Sequence, residues 1–194
     1  MRVVDVGANV GYFTLLAARK IGPEGKVLAV EPSRQPADIL ETALRENGIG
    51  QVTLVRCGLG RATGEAVLYD PHPENHTPTM LGDMGTPGTT VQIRTLDELA
   101  EAHGLPDIDL LKIDVEGYEP EVLAGAKRLL GGGRIRAILC EFNEYWLGRN
   151  GTTGEAVYRN VINYGYVDQT KHSMVPGAIL DNRFFTLNAG RNRP

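Results

Sequence analysis

Apolar residues along the chain follow two patterns that alternate from its beginning to its end. Short runs of apolar and β-branched residues are typical of strands, and apolar residues three or four positions apart are typical of helices. The strand-like runs lie at 2–6, 26–32, 51–58, 107–114, 135–142 and 183–189, with weaker ones at 65–70 and 90–94. The helical stretches lie at 12–21, 36–47, 95–103, 119–130 and 154–164. This alternation predicts a single α/β domain over residues 1–194, with a doubly wound, mostly parallel sheet.

The segment 70–90 has neither pattern. Its sequence, DPHPENHTPTMLGDMGTPGTT, is rich in proline and glycine and joins two strand-like runs that have the form of a hairpin. A loop of this length in a compact domain is typically either functional or disordered. We interpret it as a lid over the mouth of a substrate site, with a solvated insertion as the alternative.

Composition narrows the class of protein. The 194 residues are 42% hydrophobic and 23% charged, as in soluble globular domains, and no apolar run approaches the ~18 residues of a membrane helix. Cys57 and Cys140 are too few for a disulfide framework or a metal cluster, and no signal peptide is recognisable, which indicates a cytoplasmic protein. A net charge of −4 without a block of basic residues does not favour nucleic acid as a partner. The oligomeric state is not predicted.

A glycine-containing turn between the first strand and the first helix is typical of nucleotide-binding α/β proteins. Here it reads Asp5-Val6-Gly7-Ala8-Asn9-Val10-Gly11, so Asn9 stands where the dinucleotide fingerprint has its second glycine. The acidic Asp5 disfavours a pyrophosphate and favours an ammonium or sulfonium group. A second acid, Glu31, follows the next strand, 20 residues after Gly11, where it can accept hydrogen bonds from both ribose hydroxyls. A ribose with a cationic amino-acid tail and no phosphate describes S-adenosylmethionine.

Three longer stretches carry a resemblance to a known family. The stretches VDVGANVGYFTLLAA, AVEPS and above all IDLLKIDVEGYEPEVLAGAKRLL resemble the FkbM-type S-adenosylmethionine-dependent methyltransferases, over about Val3 to Phe142. The resemblance implies a class I methyltransferase fold, Rossmann-like, with a seven-stranded sheet whose last strand is antiparallel. It also implies O-methylation of a hydroxyl on a small molecule, often a polyketide or a sugar. Members of this family normally carry a segment before the first strand that helps to cover the cofactor.

The resemblance also implies roles for individual residues around the cofactor. The methionine end is implied to lie against the glycine loop, and the ribose against Glu31. The residues after the third strand are implied to border the adenine, although they include no acid for its amino group. The implied cofactor-binding residues are Asp5, Gly7, Ala8, Asn9, Gly11, Glu31, Cys57, Gly58 and Leu59.

Methyl transfer to an alcohol requires a group that takes up the hydroxyl proton, because a protonated hydroxyl is a poor nucleophile. Ligands of open α/β sheets lie beyond the carboxyl ends of the strands, where Asp114, Glu116 and Glu141 are found. These three acids are the candidate catalytic residues, together with His76 in the segment 70–90. Structural alternatives remain open: Glu116 as a cap of the next helix, and Glu141 as an ion-pair partner of Lys112.

A metal-assisted reaction is a further alternative. Asp114, Glu141 and Asn143 resemble the oxygen ligands of magnesium-dependent small-molecule O-methyltransferases, and Mg²⁺ lowers the pKa of a bound hydroxyl. The sequence does not establish a metal, and we do not favour one. Two other functions stay open beside the O-methyltransferase: a catalytically silent S-adenosylmethionine-binding module and, less favoured, a nicotinamide-dependent oxidoreductase.

Overall fold

The computed structural model describes residues 1–69, 80, 87–173, 180–188 and 190. The strands within these ranges are β1 (Arg2–Val6), β2 (Lys26–Val30), β3 (Val52–Val55), β4 (Gly58–Leu59), β5 (Gly64–Tyr69), β6 (Gly88–Arg94), β7 (Leu110–Ile113), β8 (Ala137–Asn143), β9 (Tyr166–Asp168) and β10 (Leu180–Leu187). The helices are α1 (Tyr12–Ile21), α2 (Arg34–Glu46), α3 (Leu96–Ala102), α4 (Glu119–Ala124), α5 (Lys127–Gly131), α6 (Glu144–Arg149) and α7 (Gly154–Asn163).

Seven of these strands form one sheet, in the order β3-β2-β1-β7-β8-β10-β9. The five strands from β3 to β8 are parallel, and β10 is antiparallel to both β8 and β9. The doubly wound sheet with an antiparallel last strand is therefore confirmed. The carboxyl ends of β1, β2, β7 and β8 meet at one edge, which is the edge where ligands of such sheets bind.

Helices cover both faces of the sheet, because the central strands are apolar on both faces. Along β1, Val3 packs with Ala18 of α1, whereas its neighbour Val4 belongs to the large core with Leu123 of α4. Both valines are at most 1% exposed. Alternate side chains of one strand thus stabilise opposite layers, and β1 is fixed in the middle of the domain.

The two weaker strand-like runs form a small second sheet beside the carboxyl edge of the large sheet. In it β5 and β6 pair in antiparallel fashion, which confirms the predicted hairpin, and β4 adds a third strand parallel to β6. Leu68, Val91 and Ile93 form its small apolar core, with Met80 packed against it. The predicted lid over 70–90 falls largely outside the described residues, and so does His76.

Two features of the helical layer differ from the sequence prediction. The stretch 119–130 forms two helices, α4 and α5. Between them lies Gly125, where a Cβ would lie 2.1 Å from the carbonyl oxygen of Gly60, so the chain passes directly against a neighbouring loop. The helix α6 was not predicted; its six residues are capped by Asn143, whose side chain accepts a hydrogen bond from the Trp146 amide. None of the helices in the described part of the chain is long and apolar enough to cross a membrane.

Candidate cofactor and catalytic site

A cleft lies at the carboxyl edge of the large sheet, between the glycine loop, the second sheet and the ends of β7 and β8. The empty space of the cleft is about 780 Å³, and part of it is open to solvent. Its described lining brings together most of the residues that the sequence predicts, namely Gly7, Asn9, Glu31, Cys57, Gly58, Leu59, Asp114, Glu116 and Glu141. Residues far apart in the chain therefore converge on one site.

The glycine loop is shaped by close backbone contacts. Gly7 has a φ of 76°, and a Cβ there would lie 1.8 Å from the carbonyl oxygen of Asp114, so only glycine fits. The amides of Gly7 and Ala8 both donate to the carbonyl of Val30, at 3.0 and 3.1 Å, and tie the loop to the end of β2. Asn9 adopts a left-handed conformation with a φ of 51°, which asparagine tolerates better than most residues.

Two residues of the loop lie behind the cleft. Ala8 packs in the core with Leu40 and Leu44 of α2. Gly11 precedes α1 with a φ of 93°, and a Cβ there would lie 2.2 Å from the Leu40 side chain. Neither is among the described residues that line the cleft. Their direct contact with a cofactor stays a prediction, and their observed part is to pack the loop against α2.

Asp5 is completely buried below the loop and forms an ion pair. Its Oδ1 lies 3.3 Å from Nζ of Lys112, and its Oδ2 accepts a hydrogen bond of 2.5 Å from the Thr14 hydroxyl. Lys112 also lies 3.2 Å from Oδ2 of Asp114 and donates to the Gly7 carbonyl at 3.3 Å. Asp5 is not among the described residues of the cleft lining. Its contact with the methionine end stays a prediction; in the structure it orders the loop from below.

The ion pair determines the charge of Lys112. Burial by itself would lower the pKa of this ammonium group, but Asp5 and Asp114 outweigh burial and raise the pKa above its ordinary value. Lys112 is therefore a fixed positive charge at the base of the loop. The alternative interpretation, an ion pair between Lys112 and Glu141, is wrong, because the ion-pair partners of Lys112 are Asp5 and Asp114.

Glu31 is held at the end of β2 by two backbone amides. Its Oε2 accepts from the Asn9 amide and its Oε1 from the Ser33 amide, each at 2.8 Å. The side chain is 4% exposed, and burial raises its pKa, while the two amide hydrogen bonds oppose the rise. Each carboxylate oxygen can accept a second hydrogen bond. A rigid acceptor pair therefore lies in the cleft wall, one strand away from the glycine loop.

Three acids cluster at the ends of β7 and β8. One oxygen of each of Asp114, Glu116 and Glu141 lies within 4.8 Å of the others. Burial raises the pKa of Glu116 to about 7, and the charges of Asp114 and Glu141 add to the rise. Burial also raises the pKa of Glu141, with Asp114 again adding to it. Like charges this close in a half-buried cleft favour the uptake of a proton or of a cationic ligand.

Glu116 has an unusual backbone. Its φ of 50° lies in the left-handed region, which is strained for a residue of this kind, and such strain is found preferentially at functional sites. Its Oε2 accepts a 3.0 Å hydrogen bond from the side-chain amide of Asn143. The alternative role of Glu116 as a helix cap is not observed, since α4 begins at Glu119 and its capping residue is Tyr118.

The far end of the cleft is apolar. Cys57, Gly58 and Leu59 line it, as the sequence predicts, together with Leu68 of β5 and with Met80, which packs against the second sheet. Burial raises the pKa of Cys57 to about 11, so its thiol stays neutral. Leu68 was not predicted as part of the site, whereas Met80 belongs to the segment 70–90 that we interpret as a lid over it. The hairpin pattern of β5 and β6 was the available signal, since it places Leu68 on the inner face of a half-buried strand.

The charged residues in the described lining of the cleft are all acidic. Its described lining contains four carboxylates, Glu31, Asp114, Glu116 and Glu141, and no lysine, arginine or histidine. The cleft therefore attracts cations and disfavours phosphate groups.

Comparison with known proteins gives several related methyltransferases, three of which are described here. The chain is 33% identical over 154 residues to methyltransferase sdnD of Sordaria araneosa, matching 63% of this chain and 59% of that protein. It is 32% identical over 130 residues to the hexuronic acid methyltransferase AglP of Haloferax volcanii, matching 65% of this chain and 50% of that protein. It is 30% identical over 187 residues to the 31-O-demethyl-FK506 methyltransferase FkbM of Streptomyces tacrolimicus, matching 80% of this chain and 68% of that protein. The matches thus span between half and about two thirds of these relatives.

Solved structures of methyltransferases share the fold. TrmK of M. capricolum, solved in complex with S-adenosylhomocysteine, superposes with a TM-score of 0.58 over 97% of this chain and 62% of that chain, at 11% identity. An rRNA methylase of Streptococcus thermophilus superposes with a TM-score of 0.56 over 96% of this chain and 87% of that chain, at 13% identity. These likenesses confirm the class I, Rossmann-like methyltransferase fold. The sequence itself matches the FkbM methyltransferase domain over residues 5–167, which is most of its length, and the chain belongs to that family of methyltransferases.

Proposed function

We propose that this protein binds S-adenosylmethionine and transfers its methyl group to a hydroxyl oxygen of a small molecule. The observation that carries the proposal is the chemistry of the cleft wall. The Glu31 carboxylate in this wall is fixed by the amides of Asn9 and Ser33. The described residues that line the cleft include no cationic side chain. A ribose and a cationic sulfonium tail match that wall.

The residues of the cleft fit this cofactor better than a dinucleotide. Glu31 offers two fixed acceptors for the two ribose hydroxyls, and the backbone of Gly7 leaves no room for a side chain at the loop. Asp114, Glu116 and Glu141 favour a cation by Coulombic attraction and would oppose a pyrophosphate. The apolar end, with Leu59, suits a flat base. Nicotinamide chemistry is therefore the less favoured function.

The residues of the chain have separate tasks in the proposed reaction. When bound, S-adenosylmethionine supplies a methyl group on a sulfonium sulfur, which keeps the electron pair of the broken carbon–sulfur bond. The acceptor hydroxyl must lie in line with that methyl group, about 3 Å from it, and the rigid loop and strand ends serve to orient both. As the new oxygen–carbon bond forms, the hydroxyl proton has to leave.

Glu116 is the group that we assign to take up this proton. It lines the cleft, and with its pKa at about 7 it can be ionised at neutral pH while still accepting a proton readily. Asp114 is less suited, because its carboxylate is paired with the buried Lys112. Glu141 lies beside Glu116 and accepts a 3.4 Å hydrogen bond from Asn182, and we assign it to the acceptor side of the cleft. His76, outside the described residues, stays a candidate base.

The relatives, rather than the cleft, support the acceptor class that we propose. Two of them are named as methyltransferases of a hexuronic acid and of 31-O-demethyl-FK506. We propose a hydroxyl-bearing small molecule of the sugar or polyketide type, and no nucleic-acid substrate.

The test is a transfer assay in which S-adenosylhomocysteine release is measured over a panel of uronic acids, other sugars and macrolide polyketides. We expect release with at least one compound and its loss in Glu116→Gln, with Glu46→Gln, an exposed acid of α2, as control. A chelator in the assay should leave turnover intact. Loss of turnover that Mg²⁺ restores would favour the metal alternative, and binding without turnover across the panel would favour a silent binding module.

A further inference from the structure

The turn between β7 and α4 presents Asp114 and Glu116 to the cleft, and its backbone is unusual. Glu116 and Gly117 are consecutive left-handed residues, with φ values of 50° and 89°. A left-handed conformation of a non-glycine residue is strained and persists only where surrounding contacts fix it. The groups that fix this turn therefore also determine where the Glu116 carboxylate lies.

Glu119 fixes the turn from the side of α4. It is 1% exposed, and its Oε1 accepts hydrogen bonds from the amides of Gly117, at 3.1 Å, and of Val115, at 3.4 Å. These two amides flank Glu116 on either side. One buried oxygen thus holds both backbone neighbours of the proposed base, without lining the described part of the cleft itself.

The region around α6 fixes the turn from the other side. The side-chain amide of Asn150 donates to the Gly117 carbonyl at 3.0 Å. A Cβ on Gly117 would lie 2.6 to 2.7 Å from backbone and side-chain atoms of Trp146, so the turn rests directly on this helix. Asn143, at the start of the same helix, donates to Oε2 of Glu116. Backbone and side chain of the turn are thus held by one helix.

The contact of Glu119 with the turn carries an energetic penalty. Its second oxygen, Oε2, is buried and has no hydrogen-bond partner among the described residues. Leaving a buried oxygen without a hydrogen bond is energetically unfavourable. The arrangement is better explained by the geometry that it imposes on Glu116 than by a contribution to stability.

We propose that Glu119 and Asn150 are positioning residues, which hold the turn 115–117 in the conformation that keeps the Glu116 carboxylate beside Asn143 in the cleft. This inference rests on the proposed function, because it takes Glu116 as the base. It predicts that the loss of either side chain displaces Glu116 while the glycine loop and Glu31 keep their geometry. Cofactor affinity and the position of the base are then separable.

The experiment follows the side-chain amide of Asn143 by ¹⁵N NMR, with the Glu116→Ala spectrum as the reference for a missing hydrogen bond. We expect Glu119→Ala and Asn150→Ala to shift the Asn143 signals toward that reference. Glu119→Gln keeps an oxygen acceptor for the two amides and should retain the wild-type signals. Val122→Ala, a fully buried core truncation in the same helix, is the matched control and should also retain them.

Two further measurements separate positioning from general destabilisation. Calorimetry with S-adenosylhomocysteine should give affinities within about twofold of wild type for Glu119→Ala, Glu119→Gln, Asn150→Ala and Val122→Ala. With a compound that the panel identifies, kcat of Glu119→Ala should fall on the order of 10²-fold at unchanged KM for S-adenosylmethionine, and Glu119→Gln should restore it.

Unchanged Asn143 signals in folded Glu119→Ala and Asn150→Ala, or equal shifts in Val122→Ala, would overturn the inference. If Glu119→Ala does not fold, the same test is made with Asn150→Ala, at a half-exposed position, and with Glu119→Asp, which has a shorter side chain. A failure of the proposed function looks different, since wild-type protein would then lack turnover while the NMR shifts appear as expected.

Discussion

The amide of Asn9 donates a 2.8 Å hydrogen bond to Oε2 of Glu31, across 22 residues of chain. The contact joins the glycine loop after β1 to the end of β2, and the left-handed conformation of Asn9 aims its amide at the carboxylate. Loop and acceptor are therefore one rigid unit. In the proposed function this unit holds the ribose, because contacts within the protein fix the geometry of its acceptors.

Glu31→Ala should weaken the binding of S-adenosylhomocysteine. The change removes hydrogen bonds to a charged acceptor, which are worth about 1.5–3 kcal/mol, or roughly 10- to 150-fold in Kd. Titration calorimetry measures the difference, with Glu46→Ala, an exposed acid on α2, as the control for charge. Equal affinities in wild type and Glu31→Ala would remove the ribose assignment.

Turnover should rise with pH through about 7 and then level off. Burial and the neighbouring Asp114 and Glu141 raise the pKa of Glu116 to about 7, and only its ionised form can accept the hydroxyl proton. Glu116→Gln should lower kcat by ~10²–10⁴-fold and abolish the rise. The pH profile of kcat with an accepted compound checks this. A rise of the same midpoint in Glu116→Gln would assign the titration to another group.

Glu119 should make the protein less stable as pH rises. Burial raises its pKa to about 7, from an ordinary value of 4.5. The folded state therefore binds the proton more tightly than the unfolded state, and its stabilising contribution is present below pH 4.5 and lost as pH rises through 7. For this nearly buried group, the free energy of unfolding should fall by about 2 kcal/mol between pH 5.5 and 8. Because the pKa of Glu116 is also about 7, the contribution of Glu119 is the difference between wild type and Glu119→Gln in urea denaturation, where the variant should lose about 2 kcal/mol less over this range.

Lys112→Met should destabilise the fold strongly. Asp5 is completely buried, and the substitution leaves its carboxylate without the cation 3.3 Å away. Removing one partner of a buried ion pair costs about 3–5 kcal/mol. The double variant with Asp5→Asn should recover part of this loss in urea denaturation, whereas the exposed Lys20→Met should cost little. No recovery in the double variant would mean that Lys112 acts through other contacts.

The periodic parts of this protein could be predicted from its sequence. The glycine loop and Glu31 follow two neighbouring strands of a parallel sheet, and the carboxyl ends of such strands lie at the same edge. The strand pattern alone was therefore enough to predict that they lie close together. The predicted helix at 95–103 forms as α3, and the capping box of Thr95 and Glu98 that opens it is local in sequence. Local patterns and short spacings fix such features.

Contacts over long distances in the chain could not be predicted in this way. The hydrogen bond between Glu116 and Asn143 spans 27 residues and depends on α6, a six-residue helix too short to show a clear period. The packing of Gly117 on Trp146 depends on the same helix. Asp5 was expected to face the ligand, but the strand periodicity does not reveal that Lys112 lies beside it in the core.

Calorimetry of the wild-type protein with S-adenosylhomocysteine and with NAD⁺, under identical conditions, tests the central claim most directly. The cleft lining combines Glu31 with three further carboxylates and no cation in the described residues, so we expect saturable one-site binding of S-adenosylhomocysteine and no heat of binding with NAD⁺. Saturable binding of NAD⁺ with no binding of S-adenosylhomocysteine would contradict the account.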